Sequence, residues 1–225
     1  SSCKSTTKTS DTSSSSSTHS IKCKKDCSSK PISKSGVINK PGCYCLTSDI
    51  VGNGCDPVIT IDSNDVTLDL NCHQLDAYNA SYAIVVAKQC SVKIMNGTIT
   101  RADTHIRISE CENITLVDLK LKGTDKCKPV NKTAIKVNNT CGLDFQNITI
   151  IGFKNKKVPI INCLECKNGS LKNITISKNL KFVSDVCDYQ GAFLNIELSS
   201  NFDIENTYVN DNSVNANCPP RPGVM

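Results

Sequence analysis

Six segments of the chain share one form: alternating aliphatics, then Asn or Asp, then another aliphatic. They are VTLDLNCHQL, SVKIMNGTI, NITLVDLKL, GLDFQNITI, GSLKNITI and NFDIENTYV. The marker residues are Asn71, Asn96, Asp118, Asn147, Asn173 and Asn206, spaced 25, 22, 29, 26 and 33 residues apart. A unit of that length cannot bury its own apolar face. Neighbouring units must stack on one another to make a core.

A second short apolar run precedes each marker segment. These runs are Val58–Ile61, Ala83–Val86, His105–Ile108, Ala134–Val137, Pro159–Ile161 and Phe193–Leu198. No sustained helical periodicity competes with them, and Val, Ile and Thr dominate, as strands prefer. Two strands per unit, joined by a polar corner, stack into coils with equivalent strands about 4.8 Å apart. Six coils then make a rod roughly 30 Å long. Val66, Leu68, Val92, Ile94, Ile114, Leu116, Phe145, Ile148, Ile174 and Ile204 are the expected inward residues. The repeated Asn suits the corner. It tolerates positive φ, and its amide can bond the same amide one coil away.

The stretches GVINKPGCYCLTSDI, ITIDSNDVTLDLNCHQL and SVKIMNGTIT resemble the right-handed parallel β-helix repeat proteins of the pectate-lyase-like superfamily, from Gly36 to about Val209. The resemblance implies an all-β fold: a single-stranded right-handed parallel β-helix of about six short coils, disulfide-stapled, with extended arms at both ends. The expected layout is a Ser/Thr-rich arm over 1–20, a Cys/Lys-rich cap over 21–57, the β-helix over 58–209 and a Pro-rich arm over 210–225. The superfold hosts lyases, hydrolases, adhesins and viral spikes, so fold alone does not name a function. The lyases of the resembling superfamily use acids clustered for Ca²⁺ and an arginine base on one face, and its polygalacturonases use paired aspartates. Here Arg101 and Arg107 are the only arginines before the C-terminal tail, and there is no Asp-Asp pair. Asp62, Asp65, Asp69 and Asp103 are the best remaining acids. With no Trp and 4% aromatics, sugar-stacking platforms are scarce, Tyr78 and Tyr82 being the first candidates. The expectation is a non-catalytic member with no cofactor and no metal. A polysaccharide-active lyase or glycoside hydrolase and a glycan-binding adhesin are the alternatives.

Fifteen cysteines in 225 residues point to an oxidising, extracellular or virion-surface setting with disulfides. The candidates are Cys3, Cys23, Cys27, Cys43, Cys45, Cys55, Cys72, Cys90, Cys111, Cys127, Cys141, Cys163, Cys166, Cys187 and Cys218. Cys90, Cys111, Cys141 and Cys166 each precede a marker strand, which suggests a bridged ladder along one edge. Cys90–Cys111 is the simplest rung, and Cys141 with Cys163 or Cys166 the next. Cys163–Cys166 also reads as a CxxC pair, and Cys23, Cys27, Cys43 and Cys45 could hold zinc by spacing. Bridges that staple a cap are the favoured reading of the latter. VTLDLNCHQL gathers Asp69, Cys72 and His73, but reads as one coil of the stack, with Cys72 bonded to Cys45 or Cys55. The odd cysteine total leaves a sulfur free or bonded to another chain.

Of eight Asn-x-Ser/Thr sites, Asn79, Asn131, Asn113, Asn138 and Asn168 are the glycosylation candidates, while Asn96, Asn147 and Asn173 stand at the corners. The net charge is +5, of which residues 1–40 contribute +6 (eight Lys against Asp11 and Asp26) and the rest −1. A nucleic-acid groove on the body is not supported. No apolar run approaches the roughly 18 residues of a membrane span. The chain begins at Ser1, which suggests a mature or cut form. The sequence is therefore expected to be a structural subunit of a secreted or surface assembly. Its expected partners are copies of itself or neighbouring subunits, reached through the terminal arms, and attached or bound glycans.

Overall fold

The computed structural model describes residues 29–54, 57–78, 80–123, 132–155, 158–182 and 193–215. Among them there is no helix, and the strands follow in chain order. The first rungs hold β1 (Lys30–Ile32), β2 (Gly36–Ile38), β3 (Gly42–Leu46), β4 (Ile50–Val51), β5 (Ile59–Ile61), β6 (Val66–Asp69) and β7 (Gln74–Asp76). The middle holds β8 (Tyr82–Ala87), β9 (Cys90–Thr100), β10 (Thr104–Ser109), β11 (Glu112–Lys122), β12 (Thr133–Asn138), β13 (Cys141–Ile151) and β14 (Lys154–Asn155). The last rungs hold β15 (Ile161–Leu164), β16 (Lys167–Ser177), β17 (Leu180–Phe182), β18 (Leu194–Glu197), β19 (Ser200–Glu205), β20 (Tyr208–Asn210) and β21 (Ser213–Asn215).

Every pairing is parallel. One sheet stacks β1, β3, β6, β9, β11, β13, β16 and β19. A second stacks β2, β5, β8, β10, β12, β15 and β18, and a third β14, β17 and β21. Strands far apart in sequence become neighbours only because each coil returns one rung further on. The fold is an all-β parallel solenoid of about five turns. That is one fewer than the six markers suggest. Asn71 and Asn206 fall in the end rungs, where short separate strands replace the eleven-residue strands of the middle.

The long strands bend at their centres. All six markers have positive φ, from 48° to 59°. In β13 the burial alternates on both sides of Asn147 but slips by one residue there. A single left-handed residue resets the period-2 phase, so both arms keep their aliphatics inward. The Asn147 amide donates to Asp118 at 2.9 Å, and Asn173 donates to Asn147 at 3.0 Å. A second left-handed column runs through Ser91, Asn113, Gly142, Asn168 and Asn201, and a third through Lys88, Glu110, Asn139, Glu165 and Leu198. These columns bracket the corner between the second sheet and the first.

Nine of the ten expected inward side chains are buried. Ile204 is the exception at 47% exposed, because it lies in β19, the last rung, with Leu171 as its register partner on one side only.

Candidate functional site

The corner that carries the cysteines is built from one repeated hydrogen bond. Gln89, Cys111, Thr140, Cys166 and Ser199 are equivalent, each standing one residue before the register set Cys90, Glu112, Cys141, Lys167 and Ser200. Every one donates its side chain to the carbonyl two residues back. The distances are 3.0 Å for Gln89, 3.2 Å for Cys111, 2.9 Å for Thr140, 3.3 Å for Cys166 and 2.8 Å for Ser199. The next rung then uses the hydroxyl as an acceptor. Cys111 N–H donates to Thr140 Oγ1 at 3.4 Å and Cys166 N–H to Ser199 Oγ at 2.9 Å. Cysteine here does a serine's work, locking the turn.

That stagger overturns the expected rungs. Cys43, Cys90, Cys111, Cys163 and Cys166 are free thiols. Cys90 and Cys141 share one column, but Glu112 stands between them. Cys111 and Cys166 share the neighbouring column, with Thr140 between. In a period-2 strand a one-residue offset turns a side chain to the other face. So Cys90 does not meet Cys111, and Cys141 bonds neither Cys163 nor Cys166. Cys45, Cys72 and Cys141 are disulfide-bonded. Cys3, Cys23, Cys27, Cys55, Cys127, Cys187 and Cys218 lie outside the described residues, and with them half of the suggested zinc set.

The buried thiols are shielded by the core, although Cys166, which accepts a bond from Cys163, is itself lowered. Burial pushes the Cys111 thiol up. Cys163 is pushed well up because its S–H donates to Cys166 and because it is buried. Thiolates are the reactive form. Maleimide labelling of the native protein is therefore expected to mark Cys43 and Cys90 quickly. Cys111, Cys163 and Cys166 should stay unlabelled until denaturant is added. Peptide mapping that found equal labelling of all five would contradict this arrangement.

VTLDLNCHQL disperses on folding. Asp69 Oδ1 accepts the Asn71 N–H at 2.7 Å, while Asn71 and Cys72 both adopt positive φ. His73 turns to Asp49, with Nδ1 and Oδ1 3.2 Å apart, and Asp49 also accepts the Gln74 N–H at 2.9 Å. The three reactive letters hold a turn.

The corner after β9 gathers a polar group. Arg101 makes a two-pronged ion pair with Asp76, one coil earlier, and lies over the Tyr78 ring at 5.2 Å. Burial raises the Asp76 carboxyl, but the bonds from Arg101 and from the Tyr78 N–H outweigh it and leave it lowered. Arg107 lies over Tyr82, also at 5.2 Å. Both arginines of the body are thus stacked on tyrosines. Asp103 pairs with the buried Lys132 at 3.5 Å, and Asp62 accepts from Gln89 at 3.3 Å. Asp65 stands at a left-handed corner. His105 is fully buried, donates Nε2–H to the Lys122 carbonyl at 2.8 Å and lies 4.9 Å from Phe153. Its Nδ1 has no hydrogen-bond partner. Sequence reading missed this histidine's burial, although Ala83 and Ala134 at the equivalent positions one rung either side leave the room it fills. Among the described residues no group of three or more His, Cys, Asp or Glu could hold a metal ion.

The glycosylation candidates divide by position. Asn113 is exposed. Asn168 is exposed too, but its Oδ1 accepts from Asn201 at 3.0 Å. Asn138 keeps a buried, unpartnered Oδ1. Asn79 and Asn131 lie outside the described residues.

The ends of the stack differ from its flanks. Among the described residues β1 and β2 close their sheets at one end, and β18, β19 and β21 at the other. At the β1 end a cavity of about 250 Å³ is lined by Ile32, Lys34, Val37, Ile38, Tyr44 and Ile59 among others. At the β19 end Leu198 is 76% exposed, and Ile204, Tyr208 and Val209 are exposed as well.

No protein-family model matches the chain, and neither does any curated protein or solved structure.

Proposed function

We propose that the chain is a structural subunit of an extracellular or surface assembly, such as a filament, an appendage or a virion surface fibre. The observation that carries this reading is how the reactive side chains are used. Asp69, Asp76, Arg101, Cys111, Cys166 and His73 are all engaged in corners. An enzyme needs a preorganised group left free to face a substrate. Here the polar groups hold the shape of the rod. A pectate-lyase-like ancestry, disulfide cross-links to neighbouring chains and glycans on Asn113 or Asn168 belong to the same proposal. Electron microscopy of the native, non-reduced particle tests it. Multi-subunit rods or fibres are expected. A lone rod at every concentration would sink the reading.

A further inference from the structure

We propose that the two ends of the solenoid dock on each other, so that the C-terminal rung of one copy receives the N-terminal rung of the next. This rests on the structural reading above and names the partner: a second copy of this chain.

Charge is the first argument. Residues 193–215 hold Glu197, Asp203, Glu205 and Asp211 with no Lys or Arg, a charge of −4. Residues 29–46 hold Lys30, Lys34 and Lys40 with no acid, a charge of +3. Like ends therefore repel and unlike ends attract, which selects head-to-tail over end-matched pairs. Within the C-terminal rung Asp203 and Glu205 already attract a cation. Lys172, one coil inward, reaches them at 3.5 Å and 3.4 Å.

Register is the second argument. The column Lys30, Tyr44, Leu68, Ile94, Leu116, Phe145, Leu171, Ile204 runs the whole first sheet. One further strand in the same register sets the next copy's Lys30 beside Ile204, with Asp203 and Glu205 on the strand's other face opposite Ser29 and Pro31, so the attraction acts between whole rungs and not through one pair. In the second sheet the columns end at Leu194 and Ile196, both half-buried. The equivalent positions of the next copy are Gly36 and Ile38. Strand edges at both ends then gain parallel partners, the addition by which exposed edges recruit chains. A heterologous contact of this kind does not close and propagates as a filament.

The test is a charge swap in the full chain, read by sedimentation velocity and electron microscopy. Glu197→Lys with Asp203→Lys and Asp211→Lys takes the acidic end from −4 to +2. Lys34→Glu with Lys40→Glu takes the basic end from +3 to −1. All five residues are exposed. Circular dichroism and thermal melts confirm that each variant folds. Wild type is expected to assemble end to end, more weakly as salt rises. Each charge variant alone should stay monomeric, and a 1:1 mixture should assemble again, because each now offers the end the other lacks. Wild-type fibres together with unaltered assembly of both variants, or a mixture that fails to assemble, would overturn end-on docking and leave the structural reading standing. A wild-type monomer at every concentration would overturn both.

Discussion

Between pH 6.5 and about 4 the folded chain is expected to lose about 3 kcal/mol of stability through one side chain, His105. Burial holds this imidazole neutral. Desolvation lowers its pKa from 6.5 to about 4, the bond to the Lys122 carbonyl opposes the shift, and the charge of Lys132 adds to it. The groups facing it include the ring of Phe153, the Lys122 carbonyl, the Ile99 backbone and Lys132. In the unfolded chain the histidine takes a proton at pH 6.5, and in the folded chain it does not. The unfolded state therefore binds more protons throughout that window, and stability falls as pH falls through it. Above 6.5 the contribution is fully present. Asp76 acts in a separate window. Its folded pKa is lowered from 3.8, so its contribution is present above that value and lost below it. Urea midpoints measured from pH 8 to 4 should decline in wild type and stay nearly flat in His105→Gln. Equal slopes in the two proteins would refute the assignment.

Replacing Gly97 with alanine is expected to cost about 3 kcal/mol, the upper range for overpacking a filled core. A Cβ at Gly97 would meet the Cβ of Leu70 at 2.3 Å and the His73 carbonyl at 2.9 Å. Neither obstacle is a flexible tip. Leu70 is fully buried, and the Leu70–His73 turn is tied to β9 through Leu70 N–H to Met95 O at 2.8 Å and Thr98 N–H to His73 O at 3.2 Å. The turn must move as a body. Gly169 is the control. Its Cβ would first meet the Phe202 ring, at 2.2 Å, a half-buried side chain on the last rung rather than backbone. Gly169→Ala should cost about 1 kcal/mol. Urea denaturation of both variants decides it. A Gly97→Ala penalty no larger than that of Gly169→Ala would show that the turn yields.

The parallel solenoid was legible because asparagine and aspartate are the residues that best accept positive φ after glycine. They mark one corner of every coil and so reveal the period. The other corners were hidden, because Lys88, Glu110, Glu165 and Leu198 adopt the same conformation with letters that carry no such preference. The Asp76–Arg101 pair joins residues 25 apart, which is one coil, so the period itself held the clue. The cysteine ladder misled for the opposite reason. Cys90 and Cys111 align to within one residue when the motifs are read by eye, and one residue is the difference between the two faces of a strand. Register between coils is set by side chains packing across rungs, and that information is not local to either segment.

The stacking has a mechanical consequence. Each coil touches only the coils above and below it, so a pull on the chain ends along the rod axis meets one rung's hydrogen bonds at a time. The rod should unravel from its tips in discrete steps. Each step would free about 25 residues and roughly 80 Å of thread. Bending would be resisted by whole sheets at once. Such a rod is stiff as a strut and yields progressively as a tether, and a chain of them would absorb tension by paying out its end coils before the middle fails.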